Sequence, residues 1–286
     1  MSRRGERASG RTSSGAPAHA VPEQIALDRL SKTYPSSDGE VIALSETSLT
    51  IEPGEFVAVV GPSGCGKTTL LQTIAGFVKP TTGTVTVGGR QVAGPDPGCG
   101  VVFQSPTLYP WLSVRGNVEF GPRARGEARA SRKERALQAL DLVGLRDFAD
   151  KRPYELSGGM QQRAQIARVF VNNPGIVLMD EPYSALDPFT RQQLQVQLLE
   201  LWHRERKTIV FITHSVEEAL FLSTRVIVMS ARPGRVIADR PVTLPGDVPG
   251  DGDTSGGVVR SVDVLATPEL AAQRAELARL ILEAHG

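Results

Sequence analysis

Short, almost uninterrupted runs of apolar residues recur along the chain, and each is followed by polar or small residues. The runs cover residues 56–60, 101–104, 176–179, 208–213 and 225–230. Runs of this length without alternation are typical of parallel strands that are buried on both faces of a sheet. The pattern therefore predicts a mostly parallel sheet covered by helices, which is an α/β fold.

A second set of strands is predicted from alternating apolar and polar residues or from turns at both ends. This set covers residues 25–34, 41–51, 82–89 and 236–244, the last as an edge strand. Helical periodicity is found after residue 66 and again between 188 and 206. The strands near the N-terminus predict a β subdomain placed before the parallel sheet.

Strand signals stop between residues 105 and 155, and helical stretches appear at 114–120 and 132–143. With the helix that runs to residue 171, they predict a helical insertion over about residues 105–172. The insertion is rich in basic residues, which suit either an acidic partner or lipid headgroups, or else a solvated helix face. They are Arg115, Arg123, Arg125, Arg129, Arg132, Lys133 and Arg135.

Length and composition favour one domain with appendages over two full domains. The chain has 286 residues, of which 40% are hydrophobic and 22% charged, and its net charge is +1, which argues against a general nucleic-acid surface. No apolar run approaches the ~20 residues that cross a bilayer, and no signal-peptide core is visible. Cys65 and Cys99 form neither a disulfide framework nor a metal-ligand pattern. We therefore expect a soluble, cytosolic chain.

The strongest chemical motif follows the apolar run at 56–60 and precedes a helix. It reads Gly61-Pro62-Ser63-Gly64-Cys65-Gly66-Lys67-Thr68-Thr69. Glycines let the backbone N–H groups turn toward phosphates, and the helix start adds positive dipole, so this spacing predicts a P-loop rather than a chance glycine-rich turn. Lys67 is placed to reach terminal phosphates, Thr68 to ligate Mg²⁺, and Thr69 to add a phosphate contact.

Polar residues stand at the ends of the other apolar runs. Gln104 closes one run, Asp180 and Glu181 close the next, and His214 follows a third. Strand ends of a parallel sheet meet at one edge, where carboxylates hold a metal or act as a base and a glutamine oxygen can bind Mg²⁺. The plainer interpretations are a strand-end glutamine and a capping histidine. Likewise Tyr34 suits stacking on a base or simple packing.

The sequence Leu156-Ser157-Gly158-Gly159-Met160-Gln161-Gln162-Arg163 precedes a helix, with Ser157 suited to an N-cap. This segment resembles the signature of ATP-binding-cassette (ABC) ATPases, whose companion motifs appear in family order over residues 25–244. The resemblance implies a P-loop NTPase core with a mostly parallel sheet, an N-terminal antiparallel β subdomain and an inserted helical signature subdomain. It also implies ATP hydrolysis with Mg²⁺.

The resemblance also implies a role for each motif residue. Tyr34 would stack on adenine, Gly61 to Thr69 would hold the phosphates, and His214 would touch the γ-phosphate. Asp180 would hold Mg²⁺, Gln104 would sense Mg²⁺ and the attacking water, and Glu181 would be the general base. Ser184 to Asp187 would be the D-loop. In this family two cassettes meet head to tail. Each ATP then lies between one P-loop and the opposite Ser157-Gly158-Gly159, and Asp187 lies at the dimer contact.

Cassettes of this kind bind membrane permease subunits through the helical insertion. The resemblance therefore implies a peripheral protein on the cytoplasmic face of the cell membrane, with a second cassette, permease subunits and, indirectly, a solute-binding protein as partners, and no nucleic acid. The P-loop, Pro110-Trp111, Asn117-Val118 and Arg232-Pro233-Gly234-Arg235 resemble importers of nitrate, taurine and alkanesulfonates. Tyr109 and Tyr183-Ser184 depart from that group, which has Leu and Phe-Gly there.

Two other functions remain open. One is a soluble ABC ATPase acting on nucleic acid or ribosomes, although such chains carry two cassettes or a long coiled-coil insertion. The other is the cassette of an exporter, against which the Trp111 region argues. Co-purification with an integral membrane protein would separate the transport functions from the first alternative.

The ends of the chain are predicted to lie outside the ATPase domain, which we place at 24–245. Residues 1–23 predict a disordered basic tail, with a transit peptide as the alternative, and 246–257 predict a Gly/Pro/Asp-rich linker. Residues 258–286 predict a helical extension that begins near Pro268. Its apolar stripe is expected to pack on the body or to bind a partner, and consists of Leu277, Leu280, Ile281 and Ala284. A chain ending near residue 249 is expected to bind ATP.

Cys65 lies in the P-loop, next to a helix N-terminus that favours a thiolate. We expect alkylation of this thiol to block nucleotide binding. The alternative is a thiol that the loop buries and makes inert.

Overall fold

The computed structural model describes residues 21–37, 39–245, 247 and 260–283. The predicted tail (1–23) and linker (246–257) lie almost wholly outside the described residues. The strands are β1 (Ile25–Ser36), β2 (Gly39–Ile51), β3 (Phe56–Val60), β4 (Thr82–Val87), β5 (Arg90–Gln91), β6 (Cys99–Val102), β7 (Ile176–Asp180), β8 (Thr208–Ile212), β9 (Arg225–Met229) and β10 (Val236–Pro241).

The helices alternate with the strands of the larger sheet. They are α1 (Lys67–Ile74), α2 (Val114–Ala124), α3 (Arg129–Leu142), α4 (Gly158–Phe170), α5 (Pro188–Glu205), α6 (Val216–Leu222) and α7 (Pro268–Glu283), with short 3₁₀ turns at Arg146–Phe148, Pro153–Glu155 and Val262–Ala266. No helix in the described residues is long and apolar enough to span a bilayer.

The larger sheet has the strand order β10-β9-β3-β8-β7-β6 and is parallel except for β10 at its edge. All residues of β3, β7 and β8 are buried, as continuous apolar runs predict. Because these strands run in the same direction, their carboxyl ends lie along one edge. The P-loop, the two carboxylates and His214 follow those ends, so the topology confirms the prediction of an α/β fold.

The smaller sheet is antiparallel, with the order β2-β1-β4-β5. It is joined to the larger sheet by the turn after β9. Gly234 accepts a hydrogen bond from Ser45 N at 2.8 Å and donates to Ala43 O at 3.2 Å. A Cβ on Gly234 would lie only 1.8 Å from the carbonyl oxygen of Cys65, so only glycine lets this turn pack against the P-loop.

The helical insertion, α2 to α4, has its own apolar layer within the main core, which includes Val118, Leu140 and Ala164. Much of its basic character is neutralised within the chain. The ion pairs are Arg115–Asp150, Arg125–Glu127, Arg132–Glu119 and Arg135–Glu127. This pairing favours a solvated, internally balanced surface over an acidic partner as the role of these residues.

The C-terminal helix α7 packs on the body. Leu270 and Leu277 are buried in one cluster with Ala58 and Val60 of the P-loop strand, and Leu280 and Ile281 pack against that cluster. The stripe therefore packs as its pattern predicts, apart from Ala284, which lies outside the described residues. Before α7, the buried Arg260 guanidinium bonds to three carbonyls at the end of α6 and pairs with Asp247. The three carbonyls belong to Leu220, Phe221 and Ser223.

Candidate functional site

The P-loop connects β3 to α1 through backbone conformations that favour glycine. Gly64 and Gly66 have φ values of 73° and 97°. At Gly66 a Cβ would also lie 2.6 Å from the carbonyl oxygen of Ala43. Such residues let consecutive N–H groups point to one side, which creates a concave site for anions in front of the α1 N-terminus.

Lys67, the first residue of α1, lies across this loop. Its side chain is buried, and Nζ donates to the carbonyl oxygens of Gly61 at 2.8 Å and Pro62 at 2.9 Å. The Cys65 sulfur is 3.7 Å from Nζ, and Cys65 is fully buried. The structure thus favours the alternative for Cys65, a thiol that the loop buries. Only the backbone of Cys65 is available to phosphates.

Asp180 ends β7 beside the start of α1. Thr68, the second residue of α1, lies close enough to the Asp180 carboxylate to affect its pKa. Burial raises the pKa of Asp180, and the charge of Glu181 raises it further, whereas Thr68 and Lys67 oppose the rise. A hydroxyl and a buried carboxylate side by side are the oxygen donors that Mg²⁺ accepts, and a cation would offset the cost of burying the charge. This donor set fits the predicted metal.

Glu181 is the point where three strand ends meet. Gln104 Nε2 donates to its Oε2 at 3.1 Å, and His214 Nδ1 lies 3.5 Å from the same oxygen. Glu181 has a φ of 44°, and its N–H donates to Ile212 O at 3.0 Å, which ties β7 to β8 at this point. The structure thus brings together Gln104, Glu181 and His214 as predicted from their places at one sheet edge.

The segment that carries Gln104 is anchored by amides that the sequence analysis did not single out. Gln162 Nε2 and Gln165 Nε2 both donate to the carbonyl oxygen of Phe103, at 3.0 Å and 2.7 Å. Gln165 Oε1 also accepts from Thr107 N at 2.9 Å. The available signal was two glutamines three positions apart on one buried face of α4, because such amides are rarely buried without a partner.

The signature residues lie outside this hydrogen-bonded cluster. Ser157 caps α4 by accepting from Met160 N at 3.3 Å, and a Cβ on Gly158 would meet open space. Gly159 lies beside Leu186, as a Cβ there would be 3.0 Å from that side chain. Ser157, Gly158 and Gly159 therefore present an exposed helix N-terminus next to the chain's own D-loop.

Asp187 and Tyr34 are also separate from the cluster. Asp187 caps α5 by accepting from Thr190 N at 3.0 Å. The Thr190 side chain, and then this backbone bond, lower the pKa of the Asp187 carboxyl. Tyr34 lies on β1, where Lys32 Nζ is 4.9 Å from the ring centroid. An aromatic face that attracts a cation is also suited to a purine, so its stacking role stays a prediction.

The arrangement provides an anion-binding loop with a buried lysine, a hydroxyl and carboxylate pair for a divalent cation, and a second carboxylate that two polar side chains hold in place. These are the parts that phosphoryl transfer to water needs: charge neutralisation on the phosphates and a positioned base.

Comparison with known proteins agrees with this chemistry. Residues 44–184 match the family described as ABC transporter. The chain is 53% identical to the taurine import ATP-binding protein TauB of Jannaschia sp. (strain CCS1), over 69% of this chain and 74% of the relative. It is 46% identical to the nitrate import ATP-binding protein NrtD of Synechocystis sp. (strain ATCC 27184 / PCC 6803 / Kazusa), over 78% and 84%.

Among solved structures, the ATP-binding cassette MJ0796 in a dimeric post-hydrolysis state with ADP and Pi matches with a TM-score of 0.71 and 34% identity. The match covers 77% of this chain and 99% of that cassette. The chain belongs to the ABC transporter family, as a cassette that binds and hydrolyses ATP to drive transport.

Proposed function

We propose that the chain energises an importer of nitrate, a sulfonate, taurine or a similar small solute. The observation that carries this proposal is its 46–53% identity to subunits named for nitrate and taurine import. Nitrate and the sulfonate group of taurine are both compact oxyanions. Selection between them would lie with a solute-binding protein and membrane subunits, because this chain contributes the ATPase.

Uptake by a strain lacking this chain tests the proposal. We expect such a strain to lose uptake of one of the three solute types, measured with labelled nitrate, taurine and an alkanesulfonate. The wild-type chain should restore uptake, and Glu181→Gln should not. A deletion strain that accumulates all three solutes at the parental rate would contradict the proposal.

In the proposed complex the ATP phosphates occupy the P-loop. The contacting residues are Gly61, Pro62, Ser63, Gly64, Cys65, Gly66, Lys67, Thr68 and Thr69. Lys67 would exchange its contacts with the carbonyls of Gly61 and Pro62 for phosphate oxygens, since its ammonium already lies across the loop. Tyr34 would stack on the adenine ring.

Mg²⁺ would be held by Thr68 and Asp180, with Gln104 nearby. The influence of Thr68 on the pKa of Asp180 supports this proposal because it places both oxygen donors close together. When bound, the ion would supply positive charge to the phosphate oxygens.

Glu181 would act as the general base toward the attacking water. Gln104 and His214, both within 3.5 Å of its Oε2, hold the carboxylate from two sides. His214 is largely exposed, so its imidazole is free to contact a γ-phosphate from the sheet edge. A base that is fixed before the reaction loses less orientational freedom in the transition state.

A second cassette would complete each site. Ser157 and Gly158 are exposed at the α4 N-terminus, which is an arrangement that binds anions, yet they lie outside the P-loop cluster of their own chain. We infer that this N-terminus and Asp187 meet the nucleotide of an opposing copy. The dimeric state named for the similar solved cassette supports this inference.

The permease would dock on an aromatic surface beside Gln104, to which we assign two groups of rings. One group is Phe77 with Phe103, and the other is Tyr109 with Trp111 and Phe120. The Tyr109 ring lies 5.5 Å from Trp111 and 4.7 Å from Phe120, and Phe77 stacks on Phe103 at 5.7 Å. Trp111 is 69% exposed. Exposed aromatic side chains of this kind suit an apolar helix from a membrane subunit, which would place the chain at the cytoplasmic face of the membrane.

Replacing Trp111 tests this surface. Trp111→Ala should reduce co-purification with membranes under mild detergent, because it removes the most exposed ring. Leu282→Ala on α7 is a matched control, since Leu282 is 73% exposed at another site. Both variants should melt at the wild-type temperature. Membrane association that Trp111→Ala leaves unchanged would remove this surface from the proposal.

A further inference from the structure

The residue before His214 is hydrogen-bonded to a partly buried carboxylate, that of Glu218. Thr213 donates its hydroxyl to Oε2 of Glu218 on α6. The same hydroxyl oxygen accepts from Ser215 N at 3.0 Å, and Thr213 is 1% exposed. Because these bonds fix the residues on both sides of His214, they restrict the directions in which the imidazole can point.

The second oxygen of Glu218 contacts α5. Gln195 Nε2 donates to Oε1 of Glu218 at 2.8 Å, and Gln195 is itself buried. Gln195 lies on the same helix that Asp187 of the D-loop caps. The Glu218 carboxylate therefore connects α5, the D-loop helix that Asp187 caps, to Thr213, the residue before His214. Because a helix moves as a rigid element, a shift of α5 would reach Thr213 through this carboxylate.

In this hydrogen-bond network each donor and acceptor can be assigned. Thr213 has one hydroxyl hydrogen and already accepts from Ser215, so it donates to Glu218, and Gln195 supplies the second donor. Burial raises the pKa of Glu218, while these two hydrogen bonds and the charge of Arg191 lower it. A partly buried carboxylate with two fixed donors has one favoured position, because losing either donor leaves a polar group unpaired.

We propose that Glu218 is a positioning residue that holds His214 toward Glu181 and links it to α5. This inference rests on the proposed role of His214 in hydrolysis. Glu218 acts through Thr213 and Ser215, and it conveys displacement of the D-loop helix to the histidine. A second cassette that contacts the D-loop would therefore also set the orientation of His214 in the same chain.

Two variants remove the same hydrogen bond from opposite ends. We expect Glu218→Ala and Thr213→Val each to lower kcat by about 10- to 100-fold while KM for ATP stays within about twofold, since misplacement of a group about 1 Å from its working position has effects of this size. The double variant should be no slower than either single one, because both break one interaction.

Conservative and control variants separate positioning from general damage. Glu218→Gln should recover most of kcat, as its amide can accept from Thr213 and donate to the side-chain oxygen of Gln195. Glu217→Ala should match the wild type, because Glu217 pairs with Arg274 on α7 and takes no part in the network. Thermal melting checks that each variant is folded, and Thr213→Val decides the outcome if Glu218→Ala does not fold.

The His214→Ala background distinguishes this inference from the function on which it rests. There, adding Glu218→Ala should lower kcat no further. If His214→Ala alone hydrolyses ATP at the wild-type rate, the proposed role of His214 is wrong. If His214→Ala is slow but Glu218→Ala and Thr213→Val are as fast as the wild type, the positioning role is overturned and the proposed function stands.

Discussion

Glu181 has a left-handed backbone, which is uncommon for a residue other than glycine, and this turn directs its carboxylate at Gln104 and His214. That these residues share one sheet edge can be predicted from sequence, because each follows a strand of one parallel sheet. The turn itself cannot, since it depends on the bond from Glu181 N to Ile212 across two strands. Nor does the sequence indicate that the amide nitrogen of Gln104 faces the base.

The adjacent carboxylates should have different roles. Asp180→Asn is expected to weaken Mg²⁺-dependent ATP binding by roughly 10- to 100-fold, because Asp180 is proposed to hold the ion through its water shell and the loss of such partners has effects of this size. ATP binding in EDTA should change little, because Asp180 is proposed to act through the cation. Titration calorimetry with and without Mg²⁺ measures both affinities, and an equal loss in the two conditions would assign Asp180 to folding or to direct nucleotide contact.

The second thiol should be slow to react below strongly alkaline pH. Burial, and then the charge of Asp96, raises the pKa of Cys99 to about 12. Because the thiolate is the reactive form, the labelling rate of Cys99 should rise about tenfold per pH unit from pH 7 to 10 without a plateau. A Cys65→Ser variant isolates Cys99 for this measurement with a thiol reagent, and a plateau near pH 8.5 would show a thiol with an ordinary pKa.

At the scale of whole elements, α6 and the packing of the C-terminal extension could not be predicted from the sequence pattern. The helix α6 has seven residues, too few for a clear apolar period, and it was not among the predicted helices. Its ends are fixed by contacts distant in sequence, including Arg260 at its C-terminus. The apolar stripe of α7 was visible in the sequence, but not that it covers the P-loop strand.

Because α7 packs on the P-loop strand, its loss should lower the stability of the fold. Leu277→Ala is expected to lower the free energy of unfolding by about 2 to 5 kcal/mol, because it opens a cavity beside Ala58 and Val60. Ending the chain at residue 249 should lower stability further while the folded fraction still binds ATP, since no proposed ligand lies beyond that point.

Urea unfolding measures the stability of each variant, and nucleotide titration measures its ATP binding. Leu282→Ala, at an exposed position of the same helix, is the control for helix propensity and should be close to neutral. A truncated chain as stable as the full one would show that α7 contributes nothing to the core.

At the scale of the whole molecule, the order of motifs predicts the P-loop core, the antiparallel β subdomain and the helical insertion. The joint between the two sheets was not predictable, because it depends on Gly234 approaching both Ala43 and the P-loop at distances only glycine permits. The helical insertion also carries its signature residues away from the P-loop of the same chain. We therefore propose that one copy holds two half-sites, which is the basis for expecting a dimer.

The behaviour of Glu181→Gln tests the central claim most directly. The substitution keeps the size of the side chain but removes the base, so turnover should fall by about 10² to 10⁴ while ATP still binds. Because hydrolysis would reopen the dimer, the variant should elute with ATP and Mg²⁺ at twice the monomer mass in size-exclusion chromatography with light scattering, and at the monomer mass with ADP. A variant that hydrolyses ATP at close to the wild-type rate, or stays monomeric with ATP bound, would contradict a site shared between two cassettes with Glu181 as its base.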